Sequence, residues 1–153
     1  MSNTYTQIHI HLVFAVKYRD GLIDKSWKEE LHKYVNAIIT ENTHKLLIIN
    51  AMPDHVHLLI GLRPKQALSD LVREIKSNSS KWINEKKFLK HKFEWQEGFG
   101  AFSYGKSDLQ KITNYIKNQE EHHKKVTFLE EYKEFLLAFE VDFEEQYIFK
   151  ELK

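Results

Sequence analysis

Two histidines in an apolar stretch, His55 and His57 of Met52-Pro53-Asp54-His55-Val56-His57-Leu58-Leu59-Ile60, are the residues of this chain best spaced for joint chemistry. At the strand period of two they project from one face with Leu59, while Val56, Leu58 and Ile60 take the other. Two imidazoles so placed could share one metal ion, although half-buried strand histidines satisfied by hydrogen bonds have the same spacing. His9-Ile10-His11 repeats the pattern, which shows how little it proves alone. A second group is Tyr115-Ile116-Lys117-Asn118-Gln119, where a tyrosine and a glutamine four apart share a helical face and could enter one site. The competing reading is an amphipathic helix with a core tyrosine and a solvated glutamine.

These residues need elements to hold them. Tyr5 to Lys17 alternates, with Ile8, Ile10, Leu12, Phe14 and Val16 on one face and Gln7, His9 and His11 on the other, and reads as a strand. Asp24 caps a helix whose seam of Trp27, Leu31, Tyr34, Val35, Ile38 and Ile39 runs to about Asn42. Leu46 to Met52 and His55 to Leu62, joined at Pro53-Asp54, form an antiparallel hairpin. A second helix carries Leu68, Leu71, Val72, Ile75, Trp82 and Ile83, with a kink or early end expected at Ser77-Asn78-Ser79-Ser80. Short strand pieces at Phe93 to Trp95 and Ala101 to Tyr104 flank Gly98-Phe99-Gly100, whose glycines permit a tight or bulged path. Ser107 with Gln110 predicts a capping box for a helix from Asp108 to about Lys124, and Thr127 with Glu130 predicts another. The order β-α-β-β-α-β followed by helices is an α+β, ferredoxin-like (split β-α-β) arrangement: an antiparallel sheet with helices on one face and a C-terminal helical extension. The opposite sheet face, or a strand edge, is expected to be free for a nucleic acid or a partner.

At 153 residues, with 42% hydrophobic and 29% charged residues, the chain is expected to fold as one domain over 1–153, with a core at 5–143 and an acidic tail at 140–153. The lack of cysteine excludes disulfides and thiolate metal sites, so any metal must be held by histidine, carboxylate or amide. No apolar run spans a bilayer and Met1-Ser2-Asn3-Thr4 has no leader character, so a cytoplasmic protein without a membrane partner is expected. The net charge of +1 hides an asymmetry. Lys76, Lys81, Lys86, Lys87, Lys90 and Lys92 face a single acid, Glu85, so the middle of the chain could meet a polyanion, whereas the C-terminal stretch is acidic.

Met52-Pro53-Asp54-His55-Val56-His57-Leu58-Leu59 resembles the His-hydrophobic-His motif of HUH nucleases. Trp95-Gln96-Glu97-Gly98-Phe99-Gly100-Ala101-Phe102-Ser103, then Tyr115-Ile116-x-x-Gln119-x-x-His122-His123, then Phe128 followed by Glu130 and Glu131, resemble further motifs of single-tyrosine transposases of the insertion-sequence (IS) 200/605 type. The likeness runs from about Tyr5 to Phe143, and four motifs in the right order make it specific.

The resemblance implies a metal-dependent transposase that cleaves and rejoins single-stranded DNA at hairpin-flanked element ends, through a 5′-phosphotyrosine with release of a 3′-hydroxyl. Tyr115 would be the nucleophile, and His55, His57 and Gln119 the ligands of Mg2+ or Mn2+. A homodimer is implied, with the active site shared between subunits; His9 and His11 receive no role. Lys76, Lys81, Lys86, Lys87, Lys90 and Lys92 would contact phosphates, with Trp82 as a stacking surface. Two alternatives stay open: a non-catalytic single-stranded nucleic-acid-binding module on the same fold, and a domesticated relative acting on chromosomal repeat hairpins.

Overall fold

A computed structural model describes residues 4–144. Strand β1 (His9–Ala15) is followed by helix α1 (Lys25–Glu41), the hairpin β2 (Lys45–Met52) and β3 (His55–Gly61), helix α2 (Leu68–Lys86) and strand β4 (Gly100–Tyr104). Helices α3 (Leu109–Lys117), α4 (Gln119–His122) and α5 (Phe128–Ala138) complete the described chain. The sheet order is β2-β3-β1-β4 and every neighbouring pair is antiparallel. This is the split β-α-β arrangement expected from the element order.

Strand alternation divides two cores. Leu12, Phe14, Val56, Leu58 and Ile60 face α1 and α2, where they meet Trp27, Leu31, Val35, Leu71, Val72 and Ile75. The Asp24 carboxylate accepts from Ser26 N at 3.0 Å and starts α1, as its cap position predicts. The serine-rich interruption does not kink α2, because Ser79 is fully buried and its hydroxyl donates to the Lys76 carbonyl while accepting from Trp95 Nε1. A small hydroxyl there lets the Trp95 loop lie close.

The opposite face is not free. Val13, Ala15 and Phe102 pack against Phe128 and Leu136 of α5, while Leu59 packs against Ile112 and Ile116 of α3. The expectation of an open face fails because the C-terminal helices are themselves amphipathic: Phe128, Glu131, Phe135 and Leu136 follow the helical period on one side of α5. Gly100 allows the approach, since a Cβ there would come 2.5 Å from Tyr132 Cε1. Gly98, at φ +85, supplies the tight turn before it.

Three local expectations change. Phe93 to Trp95 contributes one bridge, Val16 to Trp95, and no ladder strand. Ser107 caps nothing; Lys106–Asp108 forms a 3-10 turn leading into α3 without a side-chain cap. The helix expected from Asp108 to Lys124 bends at Asn118 (φ −96, ψ 23) into separate α3 and α4. The Thr127 and Glu130 box forms on both sides and starts α5. Most of the acidic tail expected at 140–153 lies outside the described residues.

Candidate active site

The site lies between the sheet and the C-terminal helices. Strand register puts His55 and His57 on the α3–α5 side, opposite Ala15 and Val13, and both rings are buried. A tight turn at Pro53-Asp54 precedes them, and Asp54 Oδ1 lies 2.6 Å from His55 Nδ1. A hydrogen on Nδ1 suits that carboxylate and leaves a lone pair on His55 Nε2, which is buried and has no hydrogen-bond partner.

Tyr115 reaches the same place because α3 is fastened to the hairpin. Ile112 and Ile116 pack on Leu59, with Leu47 and Ile48 alongside. Asn50, paired with His57 across the ladder, donates from Nδ2 to the carbonyls of Ile116 at 2.8 Å and Lys117 at 3.4 Å. Those carbonyls end a helix and have no intrahelical donor, so Asn50 acts as a cap supplied from the sheet. The ring of Tyr115 comes to 6.0 Å from that of His57, edge-on.

Glu131 of α5 joins these groups. Its Oε1 lies 3.0 Å from His57 Nε2, 3.1 Å from His123 Nε2 and 3.6 Å from His55 Nε2. Its Oε2 accepts from the Tyr115 hydroxyl and from Gln119 Nε2 at 3.0 Å, with His122 Nε2 at 3.5 Å. A carboxylate 1% exposed would cost several kcal/mol if unpaired, so this ring of donors is what makes its burial tolerable. Adjacent Glu130 turns outward to the capping box, which decides which of the two acids enters the site.

Electrostatics follow from burial and this carboxylate. Burial alone would raise the Glu131 carboxyl, but hydrogen bonds from His123 and His57, the His57 interaction and the Tyr115 hydroxyl outweigh it and hold it far below the usual range. Burial lowers His57 to about 4 despite Glu131, so at pH 7 their contact is a hydrogen bond from a neutral ring. Burial opposes a charge on His123, but the hydrogen bond and charge of Glu131 raise it. Tyr115 is pushed well above its ordinary value, first by burial and then by Glu131.

The donor set fits a cation. One ligand atom from each of His55, His57, His123 and Glu131 can be chosen so that all lie within 4.8 Å of one another. Octahedral Mg2+, with ligands about 2.1 Å away, needs separations of about 3.0 to 4.2 Å, so the side chains would draw closer around a bound ion. The bare His55 Nε2 and the buried, unpartnered Gln119 Oε1 are the acceptors such an ion would satisfy. Glu131 and His123 were not among the sequence-selected ligands. The helical offsets from Tyr115 to His123 and Glu131 carry no periodic signal across the bend at Asn118 and the loop before α5.

His55, His57, Tyr115 and Gln119 thus come together within the single chain described, while the expectation of a site shared between subunits concerns a second copy. The short Gly105-Lys106 connection permits either docking, and in the single chain α3 packs on its own β2 and β3. The lysines do not join them. Lys81, Lys86, Lys87, Lys90 and Lys92 are exposed on α2 and the loop after it, across the sheet from the tyrosine. Lys76 is turned inward, donating to the carbonyls of Gln96 and Gly98, and burial lowers it to about 8. Trp82, half-buried, stacks on Tyr34 at 4.9 Å and meets Phe88 edge-on. An open cleft of about 470 Å³ leads to Tyr115 and Glu131, with Tyr104, Lys111 and Phe135 on its walls. Among the described residues no helix is long and apolar enough to cross a membrane.

Comparisons with known proteins match both the sequence and the fold. The model of the family "Transposase IS200 like" matches residues 4–119. The ISDra2 transposase TnpA of Deinococcus radiodurans is 27% identical over 118 residues, covering 74% of this chain and 84% of that protein. The transposase for insertion sequence element IS200 of Salmonella typhimurium is 26% identical over 130 residues, covering 81% and 84%. The crystal structure of a transposase candidate from Deinococcus radiodurans R1 superposes with a TM-score of 0.63 at 26% identity, over 78% of this chain and 95% of that one. A REP-associated tyrosine transposase bound to a REP hairpin shares the fold, with a TM-score of 0.62 at 17% identity over 82% and 74%.

Proposed function

The chain belongs to the family of IS200-like transposases, and from that premise we propose that it cleaves and rejoins single-stranded DNA beside a hairpin, using Tyr115 as nucleophile and a divalent cation, Mg2+ or Mn2+. The observation that carries the reading is the convergence on Glu131: one carboxylate oxygen takes the Tyr115 hydroxyl and the other takes His57 and His123. A tyrosine hydroxyl and a set of side chains that could hold a metal ion therefore meet at one point, which supports this reading.

His55, His57 and Glu131 would hold the cation, with His123 or Gln119 alongside. When bound, such an ion neutralises charge on the non-bridging oxygens of a phosphodiester and keeps positions open for them. Everything else is done by the chain. The cleft admits the strand, and the α3 contacts with Leu59 and Asn50 hold Tyr115 in place for an in-line approach. At rest the phenolic proton stays on Tyr115, because burial and Glu131 disfavour the phenolate. As Oη bonds to phosphorus that proton becomes acidic, and Glu131 Oε2 is the acceptor already in contact with it. The P–O3′ bond breaks, the 3′ oxygen leaves as a hydroxyl after taking a proton, and the 5′ phosphate stays on tyrosine. Attack by a DNA hydroxyl on that ester reverses the step and rejoins strands without an external energy source.

Hairpin recognition is part of the reading. It is supported by the exposed lysines 81, 86, 87, 90 and 92, and by the fold shared with a hairpin-bound transposase. A homodimer would serve to bring two DNA ends together.

Incubating the protein with 5′-labelled and 3′-labelled hairpin oligonucleotides and separating the products on a denaturing gel tests the proposal. A protein-linked product containing the 3′ portion of the strand, dependent on Mg2+ or Mn2+ and absent in Tyr115→Phe, is expected. An adduct that persists in Tyr115→Phe, or cleavage unaffected by chelator, would overturn it.

A further inference from the structure

We infer that His11 on β1 is a positioning residue for His57: its hydrogen bond decides which nitrogen of His57 is left bare and able to face a cation. The inference rests on the metal reading above.

His11 is fully buried, with Nε2 2.8 Å from His57 Nδ1. The two rings are stacked at 5.0 Å with 18° between their planes, and Phe135 meets His11 edge-on at 5.1 Å. Register explains the meeting. Val13 lies directly opposite His57, and His11 is two residues along on the same face, at the diagonal distance that ring side chains can span.

Only one hydrogen fits between the two facing nitrogens, so the neutral pair has two arrangements. In the first, His57 donates from Nε2 to Glu131 Oε1, and its Nδ1 accepts from His11 Nε2. In the second, His57 carries its hydrogen on Nδ1 and donates it to His11 Nε2, leaving Nε2 with a lone pair toward His55, His123 and Glu131. The contact of His57 Nε2 with an anionic oxygen at 3.0 Å requires the first. Binding a cation through Nε2 requires the second.

The exchange balances. His57 Nε2 releases one proton to solvent, the hydrogen of His11 Nε2 passes to His57 Nδ1, and one proton from solvent is taken up at His11 Nδ1. Both rings stay neutral throughout. His11 Nδ1 is buried and without a hydrogen-bond partner, so it is unpaired in both arrangements and favours neither. The partner at this position must donate in one arrangement and accept in the other. Imidazole does both, a carboxylate only accepts, an ammonium only donates, and a phenyl ring does neither. Packing alone would be better served by an apolar side chain among Val13, Phe102 and Phe135.

The test uses the full chain with Mn2+ and Mg2+ as probes. Ion binding is measured by calorimetry and, for Mn2+, by electron paramagnetic resonance, on wild type, His11→Phe and His11→Gln. His11→Phe keeps the ring and loses the bond, so Mn2+ affinity should fall about 10- to 100-fold. His11→Gln can donate or accept and should recover most of that loss. Long-range 15N NMR on histidine-labelled wild type should show the His57 hydrogen on Nε2 without metal and on Nδ1 at saturating Mg2+. A folded His11→Phe protein that binds Mn2+ like wild type overturns the inference, as does an unchanged His57 tautomer. If His11→Phe does not fold, the wild-type NMR comparison decides alone. Wild type that binds neither ion defeats the metal reading itself, a result distinct from a failure of His11.

Discussion

Asn50 on β2 holds the end of the helix that carries Tyr115, through a 2.8 Å hydrogen bond from its Nδ2 to the Ile116 carbonyl. The same residue pairs with His57 in the β2–β3 ladder, so one residue ties the Tyr115 helix to the histidine strand. Asn50→Ala should destabilise the fold by about 1 to 2 kcal/mol, the cost of losing bonds to partly buried carbonyls. Adduct formation should fall further than stability accounts for, since Tyr115 loses its register against His57. Chemical denaturation together with single-turnover adduct assays on folded protein measures both; equal adduct rates would show that apolar contacts alone place α3.

Glu131→Gln keeps the shape of the side chain and removes its charge. The Tyr115 phenol, now raised by burial without an adjacent anion, should titrate at lower pH than in wild type. Ultraviolet difference titration against Tyr115→Phe isolates that one tyrosine. Adduct formation should drop by about 10² to 10⁴, the usual range for loss of a group that accepts a proton in the transition state. An unshifted phenol would mean that the Tyr115–Glu131 contact does not exist in solution.

The intramolecular placement of Tyr115 predicts the outcome of mixing inactive partners. His57→Ala and Tyr115→Phe proteins, combined under conditions where exchange of any oligomer is demonstrated, should stay inactive. Each chain then holds a damaged site, and no exchange of subunits repairs it. Restored cleavage in the mixture would show that the helix carrying Tyr115 crosses to a second copy.

Acid should destabilise the protein well above the carboxylate range. His57 titrates near 4 when folded and about 6.5 when unfolded. Between those values the unfolded chain binds more protons, so stability rises with pH across that window and is lost as pH falls through it. A single such group contributes on the order of 3 kcal/mol. His11, also lowered, adds in the same direction, and lowered Glu131 extends the loss below the carboxylate range. His123, raised, acts oppositely: its contribution is present at low pH and fades as pH climbs through its folded value. Urea denaturation from pH 7.5 to 4 should show a falling midpoint, flatter in His57→Phe if that variant folds; a pH-independent midpoint in wild type would contradict the buried neutral rings.

Gly100→Ala should cost about 1 to 3 kcal/mol by forcing Tyr132 away from β4. Tyr132→Leu should relieve part of that penalty, so the double variant should be more stable than the sum of the singles. Simple additivity in thermal denaturation would place the strain elsewhere.

Much of this architecture was legible because strand periodicity is local. Alternation in Tyr5 to Lys17 and His55 to Leu62 assigned the faces of β1 and β3, and the Thr127–Glu130 box marked the start of α5. The site was legible only where its members share an element or a motif. His11 reaches His57 through the pairing register of strands 46 residues apart, and no spacing rule along the chain encodes that distance. Glu131 follows a bend at Asn118 that breaks the helical phase linking it to Tyr115. The exposed face expected from β-α-β-β-α-β order was lost for a related reason: amphipathicity shows that α5 needs a partner, and not which surface provides it.

Helix α5 covers Val13, Ala15 and Phe102 and also brings in Glu131. During synthesis the sheet and the tyrosine emerge before this helix does. A nascent chain at that stage would present a bare apolar sheet face, attractive to chaperones, and a phenol with no carboxylate beside it. Concealing the apolar surface and bringing the Glu131 carboxylate to Tyr115 are then one event.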